Sequence, residues 1–318
     1  MQSLIWTGRH VSRALFGGIC SCSSHSQHQQ YPLSSSSPSA AATERPGPEA
    51  RLVSAICGFP KSVKKRPAAR NQIGDDAWFV GRHKALEVLG VADGVGGWRH
   101  YGIDPGVFSA FLMQTCERLV TSGACGTSDP AMLLARSFRE LLENKQPILG
   151  SSTACLVMLN RETSTVHTAN IGDSGFLVVR GGQVVHRSEE QTHYFNTPFQ
   201  LALPPPEHSG RVLSDRPESA DVSDFVVEDG DVILLATDGV FDNVPDSLLL
   251  AELIGLEGVR DESKIQGVAN SIAWMARSLA NDPNFLSPFA KSARHNGIDA
   301  MGGKPDDITV LLATVAFS

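Results

Sequence analysis

Aspartates stand beside turns at the ends of apolar runs in several places along this sequence. Gly74-Asp75-Asp76-Ala77, Ala92-Asp93-Gly94-Val95-Gly96-Gly97, Ala236-Thr237-Asp238-Gly239 and Lys304-Pro305-Asp306-Asp307-Ile308-Thr309 share the pattern, and Asn170-Ile171-Gly172-Asp173-Ser174 lies between two such runs. A lone Asp-Gly is an ordinary turn dipeptide, and Asp229-Gly230 reads as one. The set carries more, because carboxylates fixed at strand ends can converge at the rim of a sheet. Converging carboxylates repel one another unless a cation neutralises them. Hard oxygen donors suit Mg²⁺ or Mn²⁺, and a neighbouring glycine lets the backbone carbonyl approach the ion as well. Two such ions about 3.5–4 Å apart lower the pKa of a bridging water and orient a phosphate for in-line attack. The chemistry implied is phosphate-ester hydrolysis without a covalent enzyme intermediate.

Something must hold these acids at strand ends. Short apolar runs over 77–80 and 88–92 predict strands that end near Asp/Gly turns. Phe108, Phe111, Leu112, Cys116 and Leu119 recur at helical spacing over 107–120. A second helix starts at Pro130 with Asp129 as its N-cap and should bury Leu133, Leu134, Phe138, Leu141 and Leu142. Strands are expected over 153–159, 166–171, 176–179 and 183–187, the last two joined through Gly181-Gly182, a hairpin signal. Residues 190–223, with Pro204-Pro205-Pro206, read as a long loop or flap. Strands over 225–228 and 232–237 follow, then helices over 246–256, 262–280 and 284–296, and a last strand over 308–316. Hairpin-linked strands with inserted helix pairs give an α+β domain, not a doubly wound parallel sheet.

The 318 residues are 42% hydrophobic, with a net charge of −7. That supports a sizeable core and argues against a nucleic-acid binder, which shows a basic excess. Six scattered cysteines make no disulfide framework and no C-x-x-C metal motif, and fit a reducing compartment. No Asp or Glu precedes Glu44, whereas Arg9, Arg13 and many serines do. Such a start reads as an organellar transit peptide over 1–43, followed by a linker over 44–51 and one domain over 52–318. No stretch approaches the ~20 apolar residues of a membrane span. Lys61, Lys64, Lys65, Arg66 and Arg70 form a basic run that reads as a solvated surface loop or a phosphate-attracting rim.

Asp93-Gly94-Val95-Gly96-Gly97-Trp98, Gly172-Asp173-Ser174-Gly175, Thr237-Asp238-Gly239-Val240-Phe241-Asp242-Asn243 and Pro305-Asp306-Asp307-Ile308-Thr309-Val310 resemble, in order, spacing and strand context, the motifs of the metal-dependent type 2C (PPM) protein phosphatases. Gly150-Ser151-Ser152-Thr153-Ala154 fits the same pattern, and the resemblance runs from about residue 52 to the C-terminus. It implies a four-layer α-β-β-α sandwich, with two packed antiparallel sheets flanked by helices. It also implies hydrolysis of phosphoserine and phosphothreonine in proteins at a centre of two Mn²⁺ or Mg²⁺ ions. Asp76, Asp93, Asp238 and Asp306 would be the catalytic set. Asp93 would bridge the metals, Gly94 would lend its carbonyl, Asp238 and Asp306 would bind one metal, and Asp76 would act through water. Asp173 and Asp242 match positions tied to a weaker third ion. The stretch 194–201 and Gly302-Gly303-Lys304-Pro305-Asp306-Asp307 resemble a mitochondrial branch of the family, implying matrix phosphoproteins, those of coenzyme Q biosynthesis included, as partners.

Two departures stand out. Val95 occupies a position where many members carry a candidate acid, His, and Asn71 one where many carry a phosphate-binding Arg. Arg70 or the nearby lysines are then the phosphate-docking candidates. These departures motivate a rival reading as a catalytically weak binding protein that recruits partners through its flap; the retained aspartates argue against it. Cys155 and Arg161 have the C-x5-R spacing of cysteine-dependent phosphatases. The residues between lack glycine and read as a strand, so they form no phosphate cradle.

Overall fold

The central strands are apolar on both faces, which commits them to burial between layers rather than to a solvated sheet. The computed structural model describes residues 49–62, 70–126 and 128–318. The transit peptide expected over 1–43 and most of the basic run lie outside the described residues.

In chain order the elements are β1 (Ala50–Phe59), β2 (Gln72–Ile73), β3 (Asp76–His83) and β4 (Leu86–Asp93), then α1 (Pro105–Thr121) and α2 (Pro130–Leu142). Next come β5 (Gly150–Ser152), β6 (Ala154–Asn160), β7 (Thr165–Ile171), β8 (Gly175–Arg180) and β9 (Gln183–Arg187). Short strands β10 (Thr192–Tyr194), β11 (Thr197–Pro198) and β12 (Leu201–Leu203) lie in the flap, before β13 (Asp221–Val226) and β14 (Val232–Ala236). Helices α3 (Asp238–Phe241), α4 (Asp246–Ile254), α5 (Glu262–Ala280) and α6 (Pro288–His295) precede β15 (Ile308–Phe317).

One sheet has the order β1-β15-β14-β8-β9 and the other β13-β7-β6-β4-β3-β2; every pairing within them is antiparallel. The period-2 geometry of a strand sends alternate side chains to opposite faces. In β14, Ile233 and Leu235 enter the layer between the sheets, where they join Leu89, Val91 and Val157 of the other sheet. Its Val232, Leu234 and Ala236 face outward onto Leu249, Leu253, Ile265 and Ile272 of α4 and α5. The second sheet does the same: Leu156 and Met158 of β6 meet Phe108, Leu112 and Met113 of α1 and Leu133 and Leu134 of α2. The layers therefore run helix, sheet, sheet, helix, and the α+β sandwich expected from the sequence is what the chain forms.

Local chemistry sets the element ends. Asp129 accepts hydrogen bonds from the amides of Ala131 and Met132, with Pro130 at the first helical position, and Asp104 caps α1 in the same way. Gly181 and Gly182 both have positive φ, 57° and 74°, as a two-residue hairpin turn between β8 and β9 requires.

Several expectations are corrected. β1 was not foreseen, yet it pairs with β15 from Ala50↔Phe317 to Phe59↔Ile308. The strand expected over 225–228 lies instead over β13, whose Asp221, Ser223 and Asp224 hide it in a polar run. As the sheet's edge strand it needs only one apolar face, and Phe225 is buried while Val222 and Val226 are exposed. Leu142 ends α2 on the solvent side, so it is exposed where burial was expected. The helix expected from 284 begins at Pro288, where the Ser287 side chain accepts from the Ala290 amide. The flap is not structureless: β12 pairs with β5 and ties it to the sandwich.

Candidate active site

β3 begins and β4 ends at one end of the sandwich, so their antiparallel register sets Asp76 directly opposite Asp93. At the same end β14 runs into α3, whose first residue is Asp238, and β15 starts just after Asp306 and Asp307. Four strand ends, from both sheets, thus deliver their acids to one rim.

The backbone at Asp93 is held from two sides. Its amide donates to Thr153 Oγ1 (3.0 Å) and its carbonyl accepts from the Thr153 amide (2.9 Å) and Ser152 Oγ (2.8 Å). Thr153 Oγ1 also bonds Ser174 Oγ at 2.8 Å, beside Asp173. The Gly94 amide donates to the Asp75 carbonyl, and a Cβ at Gly94 would fall 2.5 Å from the Pro105 carbonyl oxygen. Only glycine fits there, which is the physical reason for the Asp-Gly pair. Asp76 is fully buried; its Oδ2 accepts from Thr237 Oγ1 (2.8 Å) and Thr309 Oγ1 (2.7 Å), while Oδ1 has no hydrogen-bond partner. Asp173 Oδ1 is likewise buried without a partner.

Crowding shows in the acid strengths. Burial, then the charge of Asp307, holds the Asp76 carboxyl well above the usual carboxylate range. Burial, then Asp238, Asp76, Asp306 and Asp173 in turn, does the same to Asp93. Burial and Asp238 raise Asp173, and burial pushes Asp306 up to about 6 and Asp242 to about 7. The sequence-derived acids Asp76, Asp93, Asp173, Asp238, Asp242 and Asp306 therefore feel one another's charge.

The cleft between them is lined by Asp93, Gly94, Val95, Asp173, Asp238 and Asp306 and by Asn196, Thr197, Pro198 and Gln200 of the flap. Gln200 is anchored through Ser151, whose hydroxyl donates to Gln200 Oε1 and accepts from Trp98 Nε1. Among the described residues no three His, Cys, Asp or Glu side chains close on a common point at metal-ligand spacing. An ammonium stands between the acids instead: Lys304 Nζ donates to Asp238 Oδ2 and Asp242 Oδ2, both at 2.6 Å, and lies 3.7 Å from Asp306 Oδ2. Burial disfavours its charge, but Asp238, Asp242 and Asp306 outweigh burial and keep it protonated.

Asp307 does different work from its neighbour. Its carboxylate accepts from the amides of Lys61 and Asp75, both at 2.6 Å, and so pins the start of β3 to the start of β15. Asp75 in turn holds Arg99 in a two-point ion pair at the cleft wall.

The structure does not bring Arg70 into this cleft. Asn71 has φ 60°, and both Arg70 and Asn71 point to Glu117 of α1, Arg70 with a 2.9 Å ion pair. Among the described residues, the cations that line the cleft are Lys61, Arg99 and Lys304. Sequence reasoning missed Lys304, Arg99, Thr237 and Thr309 as site residues. Their signal was adjacency: Thr237 precedes Asp238, and Lys304 stands two residues before Asp306 in a motif already singled out for its acids. Cys155 is fully buried in the sheet, with its thiol pushed up by burial, as a core residue should be.

Comparison with known proteins agrees with this fold. Residues 88–316 match the family model described as Stage II sporulation protein E (SpoIIE). The human Protein phosphatase PTC7 homolog is 54% identical over 317 residues, covering 99% of each chain, and that of Xenopus laevis is 53% identical over the same span. Among solved structures, the photosystem II phosphatase PBCP superposes with a TM-score of 0.68 at 29% identity, covering 83% of this chain and 98% of that one.

Proposed function

This chain belongs to the PP2C-type protein phosphatases, and from that premise we propose that it hydrolyses phosphoserine and phosphothreonine at a dinuclear Mn²⁺ or Mg²⁺ centre. Asp93, the Gly94 carbonyl, Asp238 and Asp306 would hold the two ions, with Asp76 behind them and Asp173 and Asp242 beside a weaker third. The observation that carries the proposal is the convergence of acids from both sheets on one cleft, with only oxygen donors and with Asp76 Oδ1 and Asp173 Oδ1 buried and unpartnered. An orphaned buried oxygen is costly unless a cation or its water engages it, and an all-oxygen set is the chemistry Mn²⁺ and Mg²⁺ prefer.

When bound, the ions would supply an activated water and neutralise the phosphate. The rest falls to the chain. Thr237 and Thr309 orient Asp76 by donating to one of its oxygens, leaving the other free for the centre. The Ser152 and Thr153 bonds fix Asp93 at the end of β4. Arg99 and Lys61, at the cleft wall, draw in the phosphate dianion. Val95 can move no proton, and among the described residues no histidine lines the cleft. We place the substrates in the mitochondrial matrix, those of coenzyme Q biosynthesis included, on the resemblance of residues 194–201 and Gly302-Gly303-Lys304-Pro305-Asp306-Asp307 to a mitochondrial branch of the family, with the organellar-type composition of residues 1–43 beside it; a fusion of residues 1–43 to a fluorescent protein that stays cytosolic would remove that part.

The direct test strips the full chain with chelator and follows phosphate release from a phosphothreonine peptide. Release should return with Mn²⁺ or Mg²⁺ and be absent without them. Folded chain that releases nothing with either ion would defeat the proposal.

A further inference from the structure

The acid-rich cleft holds a cation of its own. Lys304 is only 17% exposed, and its ammonium spans Asp238 and Asp242 at 2.6 Å each with Asp306 at 3.7 Å. Two of these three are the acids assigned above to one metal position, and the third is assigned to the weaker one. The backbone makes the placement rigid. The Lys304 amide donates to Asn243 Oδ1 (2.8 Å), and Asn243 Nδ2 donates to the carbonyls of Lys304 and Gly239 (2.9 Å each), so the loop before β15 is clamped to α3. Pro305 follows directly, restricting Lys304 to extended backbone. In the same position the ammonium lies 5.3 Å from the centroid of the Phe289 ring, at the first turn of α6, so an aromatic face backs it from the other side. Phe289 packs in turn on Phe195 of the flap, with ring centroids 5.2 Å apart.

We propose that Lys304 is a tethered competitor for the divalent cation, which neutralises the Asp238/Asp242/Asp306 pole in the metal-free chain and must give up these carboxylates for an ion to bind there. The reasoning is electrostatic. Three buried or half-buried carboxylates at one point cannot all stay ionised without a counter-charge. A flexible four-carbon stem supplies a point charge that a planar guanidinium would not. An ammonium seated on these oxygens repels an incoming divalent ion, so part of the metal's binding free energy is spent on displacing Lys304. Metal affinity at this pole is therefore set below what its carboxylates alone would give, and the metal-free chain is protected from the repulsion it would otherwise suffer.

This inference rests on the dinuclear reading, and the experiment separates the two. Mn²⁺ is titrated into chelator-stripped full-length chain, and free Mn²⁺ is followed by its paramagnetic resonance signal for the wild type, Lys304→Met and Lys304→Gln. Thermal unfolding is recorded for each chain with and without saturating Mn²⁺. Both variants should bind Mn²⁺ at one site at least about tenfold more tightly than the wild type. They should melt lower than the wild type without metal and close that gap when loaded. Variants that bind Mn²⁺ with unchanged or weaker affinity, though folded by circular dichroism, would overturn the competitor role while leaving the centre intact. A wild type and variants that all fail to take up Mn²⁺ would overturn the dinuclear reading itself, and this inference with it.

Discussion

Replacing Asp307 by alanine should cost the protein stability, whereas replacing Asp306, one residue earlier, should cost it chemistry. The Asp307 carboxylate accepts the amides of Lys61 and Asp75 at 2.6 Å each. A hydrogen bond to a charged group is worth about 1.5–3 kcal/mol net. The Asp75 amide is buried and would be left unsatisfied, at the full cost of its desolvation; Lys61 is exposed, so its amide can turn to water. Against this stands a gain, because Asp307 is the foremost charge opposing ionisation of Asp76. The balance is a loss of about 3 kcal/mol, roughly one good buried bond and part of a second. At about 2–4 °C per kcal/mol for a domain of this size or a little smaller, the melting temperature should fall by about 6–12 °C. Thermal unfolding of chelator-stripped chain by circular dichroism measures it. Asp306→Ala, whose side chain is a quarter exposed and among the described residues bonds only lysines and the next amide, should move the melting temperature far less while losing Mn²⁺-dependent turnover. An Asp307→Ala chain that melts within about 2 °C of the wild type would refute the assignment of Asp307 to the frame.

Asp93→Ala should abolish metal-dependent phosphate release and leave the far-ultraviolet dichroism of the sandwich in place; retention of full Mn²⁺-dependent turnover would remove Asp93 from the centre. Gly94→Ala sets a methyl 2.5 Å from the Pro105 carbonyl oxygen and 2.9 Å from that of Asp75. Urea unfolding should show a loss of about 1–3 kcal/mol from overpacking, and the displaced Asp93 should cost turnover as well. Arg70→Ala should leave kcat/KM on a phosphothreonine peptide within about twofold, since its guanidinium lies outside the cleft, whereas Arg99→Ala, at the cleft wall, should raise KM; a tenfold loss, about 1.4 kcal/mol, from the Arg70 change would return that residue to the cleft.

The acids of the site were legible because strand ends and glycines advertise them. Asp93-Gly94 can be read as a carboxylate with a close-packed backbone behind it, and the structure supplies that backbone in Pro105 and Asp75. Most strands were legible through apolar runs, because the central strands of both sheets are buried on both faces. β1 was not: Ser54, Cys57 and Gly58 interrupt its pattern, and what makes it a strand is β15, far along the chain. Arg70 was placed by proximity in sequence, and a single left-handed residue, Asn71, turned it toward α1. Lys304 escaped for the opposite reason. Sequence reasoning looked for ligands, and a cation among acids reads as surface charge until the fold closes around it. Asp306 and Asp307 look equivalent as letters; only the amides of Lys61 and Asp75 distinguish them.

The pairing of β1 with β15 also bears on how the protein is made. β15 lies between β1 and β14, so the five-stranded sheet has a gap in it until residues Ile308–Phe317 exist. A nascent chain can form its hairpins, but β1 has no neighbour in this sheet until β15 has been made, and such long-range pairing is slow to form. The same late segment brings Lys304 and Asp306. A chain cut before Lys304 would therefore hold neither a closed five-stranded sheet nor a complete acid cluster, so the closing of this sheet and the completion of the site are one event.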